Sequence, residues 1–327
     1  MTTRNWICGL AILGAAVLHC QQGTIGGPTA GFVFDSSSHA LRAIRGIPGA
    51  SLIGDPLDFG FPPAWVSVSP AMDSAVVADQ AGSVRLFQLS GGKLAEVAVD
   101  ALAGGQKVVF SPSGTAAALF GGGSVQVLKG LPGAPAIAGT LSLGSNLATS
   151  ISTASLGKTR RSTGEPLAVS DDGGYVLLVS GGALRVLALA GDNRSLTDAT
   201  AGTLAAFAPG GHDAAVVDPE TGLAVIRDIA GTSTRQPLSA APLPLPRAIA
   251  FSPDGSKIIL ASTAAPNVTV FDAATGAAKA LACDCTPSGL ARMGDVFRLN
   301  ELESGPLWLL DARPADPRLL FVPAMQR

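Results

Sequence analysis

The sequence predicts an all-β protein: a single β-propeller of seven four-stranded blades, with six blades as the alternative. Three observations predict it. Short runs of β-branched and small apolar residues alternate with turn residues along nearly the whole chain. Gly (40) and Pro (23) are abundant, as suits a chain of short strands rather than long helices. A strand–turn–strand unit also recurs every forty residues or so, roughly the period of a propeller blade. One such unit alone would leave an apolar face open to water, so the units must stack.

The clearest unit runs from Arg247 to Ser262. Its centre, Phe251-Ser252-Pro253-Asp254-Gly255, supplies a tight turn. Pro fixes φ at the first central position and Gly accepts the positive φ that the turn needs. Equivalent turn positions fall at Pro70, Pro112, Asp171, Pro209, Pro253 and Pro287.

The chain opens with Arg4 and then an apolar run from Trp6 to Leu18. That run is short for a bilayer span and reads as a secretory signal over residues 1–20. Val17-Leu18-His19-Cys20 resembles a bacterial lipoprotein box, with Cys20 as the acylated residue. Ordinary cleavage after Cys20 or Gly23 fits as well. Residues 21–30 form a tether, and residues 31–325 carry the propeller.

The first unit shows three strands: Gly31 to Asp35, Ala40 to Gly46 and Ser51 to Gly54. The second shows four, in Trp65 to Ser69, Ser74 to Asp79, Ser83 to Phe87 and Leu94 to Val97. The third repeats them at Val108 to Ser111, Ala116 to Phe120, Ser124 to Leu128 and Ala138 to Leu143. The fourth has Leu167 to Ser170, Tyr175 to Ser180 and Leu184 to Leu189. The fifth has Leu204 to Ala208, Ala214 to Asp218 and Leu223 to Asp228. The sixth adds Asn267 to Asp272 and Ala277 to Ala282 to the central hairpin. The seventh is the most degraded, with Val296 to Leu299, Leu307 to Asp311 and Arg318 to Val322. Closing the ring would set residues 31–59 beside 286–325 and remove the open edges.

Between the third and fourth units lies residues 145–163, a Ser/Thr-rich insertion with Lys158, Arg160 and Arg161. A long loop on a rigid scaffold is where binding tends to reside, so these three form the candidate partner contact.

Val270-Phe271-Asp272-Ala273-Ala274-Thr275-Gly276 and Val217-Asp218-Pro219-Glu220-Thr221-Gly222, with the Ser-Pro-Asp-Gly turn, resemble the WD40/YVTN-repeat-like propellers. That superfamily includes the quinoprotein amine dehydrogenase beta chains. No unit ends in the Trp-Asp pair of true WD40 repeats. The resemblance implies an architecture over residues 30–325 and leaves activity open.

Composition excludes several function classes. Net charge is −2 with charged residues at 14%, so no basic stripe is available to neutralise phosphates, and nucleic-acid binding is not expected. No metalloprotease, phosphate-loop, nucleophile-elbow or Cys-x-x-Cys motif occurs. His212 follows Gly210-Gly211 at a turn, and Asp171-Asp172-Gly173-Gly174 lacks the alternating ligands of a calcium loop. Cys283-Asp284-Cys285 leaves two thiols that would pair locally in an oxidising compartment. Catalytic, cofactor and metal residues are therefore expected to be absent. The sequence points to an exported monomer that binds a protein partner and meets a membrane only through a lipid anchor. A propeller enzyme of the lyase, lactonase or quinoprotein kind is the alternative.

Overall fold

The computed structural model describes residues 27–324, apart from 144–165 and the positions 91–92, 101, 106, 201, 244, 266, 303–304 and 314. The predicted signal, Cys20 and the 145–163 insertion lie outside the described residues. Twenty-seven strands form seven antiparallel sheets, each contiguous in sequence. Blade 1 is β1 (Thr29–Asp35), β2 (Ala40–Ile47) and β3 (Ala50–Leu57). Blade 2 is β4 (Pro63–Val68), β5 (Ser74–Asp79), β6 (Val84–Ser90) and β7 (Lys93–Val97). Blade 3 is β8 (Lys107–Phe110), β9 (Ala116–Gly121), β10 (Ser124–Lys129) and β11 (Ala136–Ser142). Blade 4 is β12 (Pro166–Val169), β13 (Tyr175–Ser180), β14 (Ala183–Ala188) and β15 (Asn193–Asp198). Blade 5 is β16 (Leu204–Phe207), β17 (Ala214–Asp218), β18 (Gly222–Arg227) and β19 (Thr234–Ser239). Blade 6 is β20 (Pro246–Phe251), β21 (Lys257–Ser262), β22 (Val268–Asp272) and β23 (Ala278–Leu281). Blade 7 is β24 (Ala291–Met293), β25 (Val296–Arg298), β26 (Leu307–Asp311) and β27 (Arg318–Val322).

Seven apolar clusters hold the ring, one between each pair of neighbouring blades. Phe207, from blade 5, packs against Leu177 and Val186 of blade 4. Val33 and Ile44 of blade 1 pack against Val296, Leu309 and Val322 of blade 7. Residues 31–59 and 286–325 thus do sit together, but they meet face to face; no strand is shared between the two sheets. The second and third strands carry most of the burial. Their small and β-branched residues alternate on a pleat whose two faces are both covered, so they read as near-continuous apolar runs. Burying one such Leu or Val side chain stabilises the ring by about 1.5–3 kcal/mol.

Blade 1 differs from the rest. Its three strands correspond to the second, third and fourth strands of the other blades. β1 is buried like the second strands and touches the inner strands β24 and β4 on either side. Its turn at His39 reaches Gln80, in the turn that joins the second and third strands of blade 2. β3 is largely exposed and runs beside β27, the outer strand of blade 7. Among the described residues, seven blades therefore surround six inner strands.

The turn between first and second strands is built the same way in four blades. Ser69, Ser111, Ser170 and Ser252 are all buried, and each Oγ accepts the backbone N–H five residues later, at 2.9–3.3 Å. Gly255 completes the Ser252 turn at φ 72°, donating its N–H to Ser252 O. In blade 7 the equivalent turn falls at Met293-Gly294, with Gly294 at φ 61°. The sequence reading had placed it at Pro287. That proline instead precedes β24, because the turn between β24 and β25 is only Gly294-Asp295 and carries no proline.

Candidate functional site

The six inner strands enclose a central channel of ≈ 390 Å³. Its wall is mainly apolar, from residues such as Val109, Leu167, Leu204 and Ile249, with hydroxyls from Ser67, Ser111 and Ser288. The ionisable groups among the described lining residues are Arg247 and Arg292. Neither is a carboxylate or an imidazole, and a guanidinium stays protonated at neutral pH. The wall can donate hydrogen bonds to a neutral or anionic group. Among the described lining residues there is no carboxylate or imidazole to take a proton.

One mouth of the channel is drawn together by the first turns of the blades. Arg292, from β24, reaches across to blade 3 and donates from Nη1 to Pro112 O at 2.6 Å, while its Nε bonds Gly294 O at 2.8 Å. Gly294 N donates to Pro70 O at 2.8 Å, so blade 7 joins blade 2 directly, past the recessed blade 1. Burial lowers the Arg292 pKa, while the charges of Asp295 and Asp171 act against that shift.

Asp171 clamps the opposite arc. Its Oδ1 accepts from Ser113 N at 2.7 Å and from Ser113 Oγ at 2.6 Å, and its Oδ2 accepts from Gly210 N at 2.8 Å. One carboxylate so ties the turns of blades 3, 4 and 5. Burial pushes its pKa up, but the bonds from Gly210, Ser113 and Ser111 outweigh it and hold it below the usual range. Next to it, Asp172 caps its own turn at Gly174 N and meets His212 Nε2 of blade 5 at 2.9 Å. The His212 ring stands edge-on to Tyr175, centroids 4.9 Å apart. The Asp-Asp-Gly-Gly stretch is thus a turn with cross-blade bonds. Asp171 as a clamp escaped the sequence reading; the available signal was an Asp standing where other units carry Pro.

Of the sequence-derived candidates, the two that are described, Cys283 and Cys285, do not line this channel. Cys283 and Cys285 have their sulphurs within bonding distance and Cα atoms 5.0 Å apart. They sit in the connection between β23 and β24, against the blade 6–7 cluster. Cys20, Lys158, Arg160 and Arg161 lie outside the described residues. The ends of the insertion are placed, however. β11 ends at Ser142 and β12 starts at Pro166, so the insertion leaves from the face opposite the clamped turns. Among the described residues no group of three or more His, Cys, Asp or Glu side chains could hold a metal ion, and no helix is long and apolar enough to cross a membrane.

No protein-family model matches the chain, and no curated protein matches it. Solved structures do. A protein of unknown function from Desulfotomaculum acetoxidans aligns at TM-score 0.58 and 14% identity, over 91% of this chain and 100% of that one. A Bacteroides fragilis protein, provisionally named a 6-phosphogluconolactonase, aligns at 0.56 and 14% identity, over 90% of this chain and 92% of its own. Saccharomyces cerevisiae Sqt1 aligns at 0.51 and 13% identity, over 91% and 87%. At these identities the likeness is one of fold, and it agrees with the seven-bladed ring.

Proposed function

We propose that this chain is an exported, non-catalytic β-propeller of the WD40/YVTN-like kind that works as a protein-interaction module of the cell envelope, tethered by a lipid on Cys20. The observation that carries the reading is the chemistry of the channel: among the described residues its wall is apolar with two arginines and no carboxylate or imidazole. Hydrolase or lyase chemistry on a lactone or sugar acid needs a positioned base. The rigid ring instead offers its long connection between β11 and β12 to a partner, with Lys158, Arg160 and Arg161 as the contact.

Two measurements test this. Mass spectrometry of the N-terminal peptide from the membrane fraction should find an acylated Cys20. A mature chain starting at Gln21 or Thr24 without acyl groups would refute the tether. Crosslinking in the native envelope should enrich a partner with the wild-type chain and lose it with residues 145–163 deleted. Turnover of 6-phosphogluconolactone by the purified chain, abolished by Arg247→Ala or Arg292→Ala, would replace the binding reading with the lactonase one.

A further inference from the structure

The channel holds a positive charge that the fold does not pair. Elsewhere Arg42, Arg194, Arg227, Arg298 and Arg313 each meet a carboxylate at 2.7–3.0 Å. Arg292 bonds only carbonyl oxygens: Nη1 donates to Pro112 O and Nε to Gly294 O, and among the described residues Nη2 has no acceptor. Asp171 and Asp295 are near enough for their charges to act on it, yet neither bonds it. Both oxygens of Asp171 are already taken, by Ser113 and Gly210. The side chain is half-buried, so part of the water that would solvate the guanidinium is excluded. A carboxylate placed on Nη2 would replace that water with a charge-assisted hydrogen bond.

The strands set where such a ligand would lie. Arg292 is the middle residue of β24, next to the clamped turns, and its reach to blade 3 lays the guanidinium across that mouth. Arg247, the other cation of the wall, stands five residues before Ser252, about 16 Å of strand from those turns. Between the two levels the wall is apolar, with Val109, Leu167, Leu204, Ile249 and Leu290. The inner strands are the end strands of their sheets, so their free edges present N–H and C=O groups alike and favour neither sign of charge. The arginines do favour one. At ≈ 390 Å³ the space falls at the small end of the range for small-molecule pockets, about 300–1,000 Å³.

We propose that the channel is a binding pocket for a small organic carboxylate with an apolar body, its head on Arg292 and its body along the apolar wall. The ligand enters from the mouth opposite the clamped turns, because Arg292 crosses the other one. A neutral molecule of the same length gains the wall and loses the charged bond. A cation of the same length meets two guanidinium groups. The pocket is separate from the connection between β11 and β12, so the inference stands apart from the partner reading.

The test is isothermal titration calorimetry of the full chain at pH 7.5 with octanoate, 1-octanol and octylammonium as probes. Octanoate should bind with one site per chain, at least about tenfold more tightly than 1-octanol, the least that a hydrogen bond between two charged groups contributes. Octylammonium should not bind. In Arg292→Gln the octanoate affinity should fall at least about tenfold while that for 1-octanol stays within about twofold. Equal affinity for octanoate and 1-octanol, no binding of octanoate, or binding unchanged in Arg292→Gln overturns the proposal. Arg292 also ties blade 7 to blade 3, so a thermal melt checks that the variant is folded. If it is not, isotope-filtered nuclear Overhauser spectra of the wild-type chain with octanoate decide the location. Cross-peaks from the octanoate chain to the Ile249 and Leu167 methyl groups support the pocket; cross-peaks only to methyl groups outside the channel overturn it.

Discussion

The junction of blades 4 and 5 and the junction of blades 7 and 1 solve the same packing problem with different means. At the first, inner strands β12 and β16 lie side by side, Phe207 fills the gap between sheets, and Asp171 and Asp172 fasten the turns across it. At the second, blade 1 shows no inner strand among the described residues. Met293 and Met72 fill the space instead, with the Met293 side chain crowding Gly31 so closely that a Cβ there would clash. Thioether side chains suit this irregular gap because they bend to its shape. The comparison teaches that the second and third strands make the inter-blade core, while the inner strand serves the channel and its clamp.

The strongest way to break that comparison is to empty both cores. Phe207→Ala should cost about 3–5 kcal/mol, and Met293→Ala somewhat less within about 2–5 kcal/mol, because a junction without an inner strand can collapse around the loss. Urea unfolding followed by circular dichroism measures both. If Met293→Ala proves the costlier, the second is the more tightly packed junction.

Next in size is acid. Asp218 ends β17 and receives Thr203 Oγ1 at 2.6 Å, Thr200 Oγ1 at 2.9 Å and Glu220 N at 3.0 Å. Burial raises its pKa, but the bonds from Thr203, Glu220 and Thr200 together hold it at about 2. A folded-state pKa below the unfolded value adds stability that is full above about pH 4 and fades as pH falls toward 2. The shift corresponds to about 2 kcal/mol, and Asp218→Asn should remove that much of the acid dependence. Unfolding curves at pH 5 and pH 2.5 decide it; an unchanged slope in the variant would assign the acid loss elsewhere, Asp254 being the other carboxylate held at about 2.

Cutting the clamp should cost less than emptying the core. Asp171→Ala leaves Gly210 N and Ser113 without their acceptor and should destabilise by about 1–3 kcal/mol, with hydrogen exchange rising first at Gly210 and Ser113. Uniform exchange along the chain would mean that the clamp has no local role. The smallest effect belongs to exposed side chains of the outer strands: Leu52→Asn and Phe321→Asn should each change stability by less than about 0.5 kcal/mol, since neither side chain is buried. A larger loss would show that these side chains are packed within the fold.

Much of this architecture was legible in the residues. The strands of units two to six follow from apolar runs and Gly-rich turns, and even blade 1 read as three strands. What was not legible is which three. That depends on whether the His39 turn faces Gln80 or the channel, a three-dimensional fact with no residue pattern of its own. Pro287 misled because proline marks many turns, whereas in four blades this one is marked by a buried serine that accepts the N–H five residues later. The channel could be read only by what its strands lacked, and Asp171 looked like one more turn former. Exposure at Ile47, Leu52 and Phe321 was invisible, because each sits in an apolar run that elsewhere is core.

The missing inner strand also settles a matter of parity. Antiparallel strands reverse direction at each step, so an even number returns a chain to the side it started from. The described residues hold twenty-seven strands, an odd number. β1 begins on the side of the clamped turns, and β27 ends on the other. The two ends of the propeller therefore leave from opposite faces of the disc. A fusion at the C-terminal end projects to the side where β11 ends and β12 begins, and away from the start of β1, an arrangement that a set of twenty-eight strands would not give.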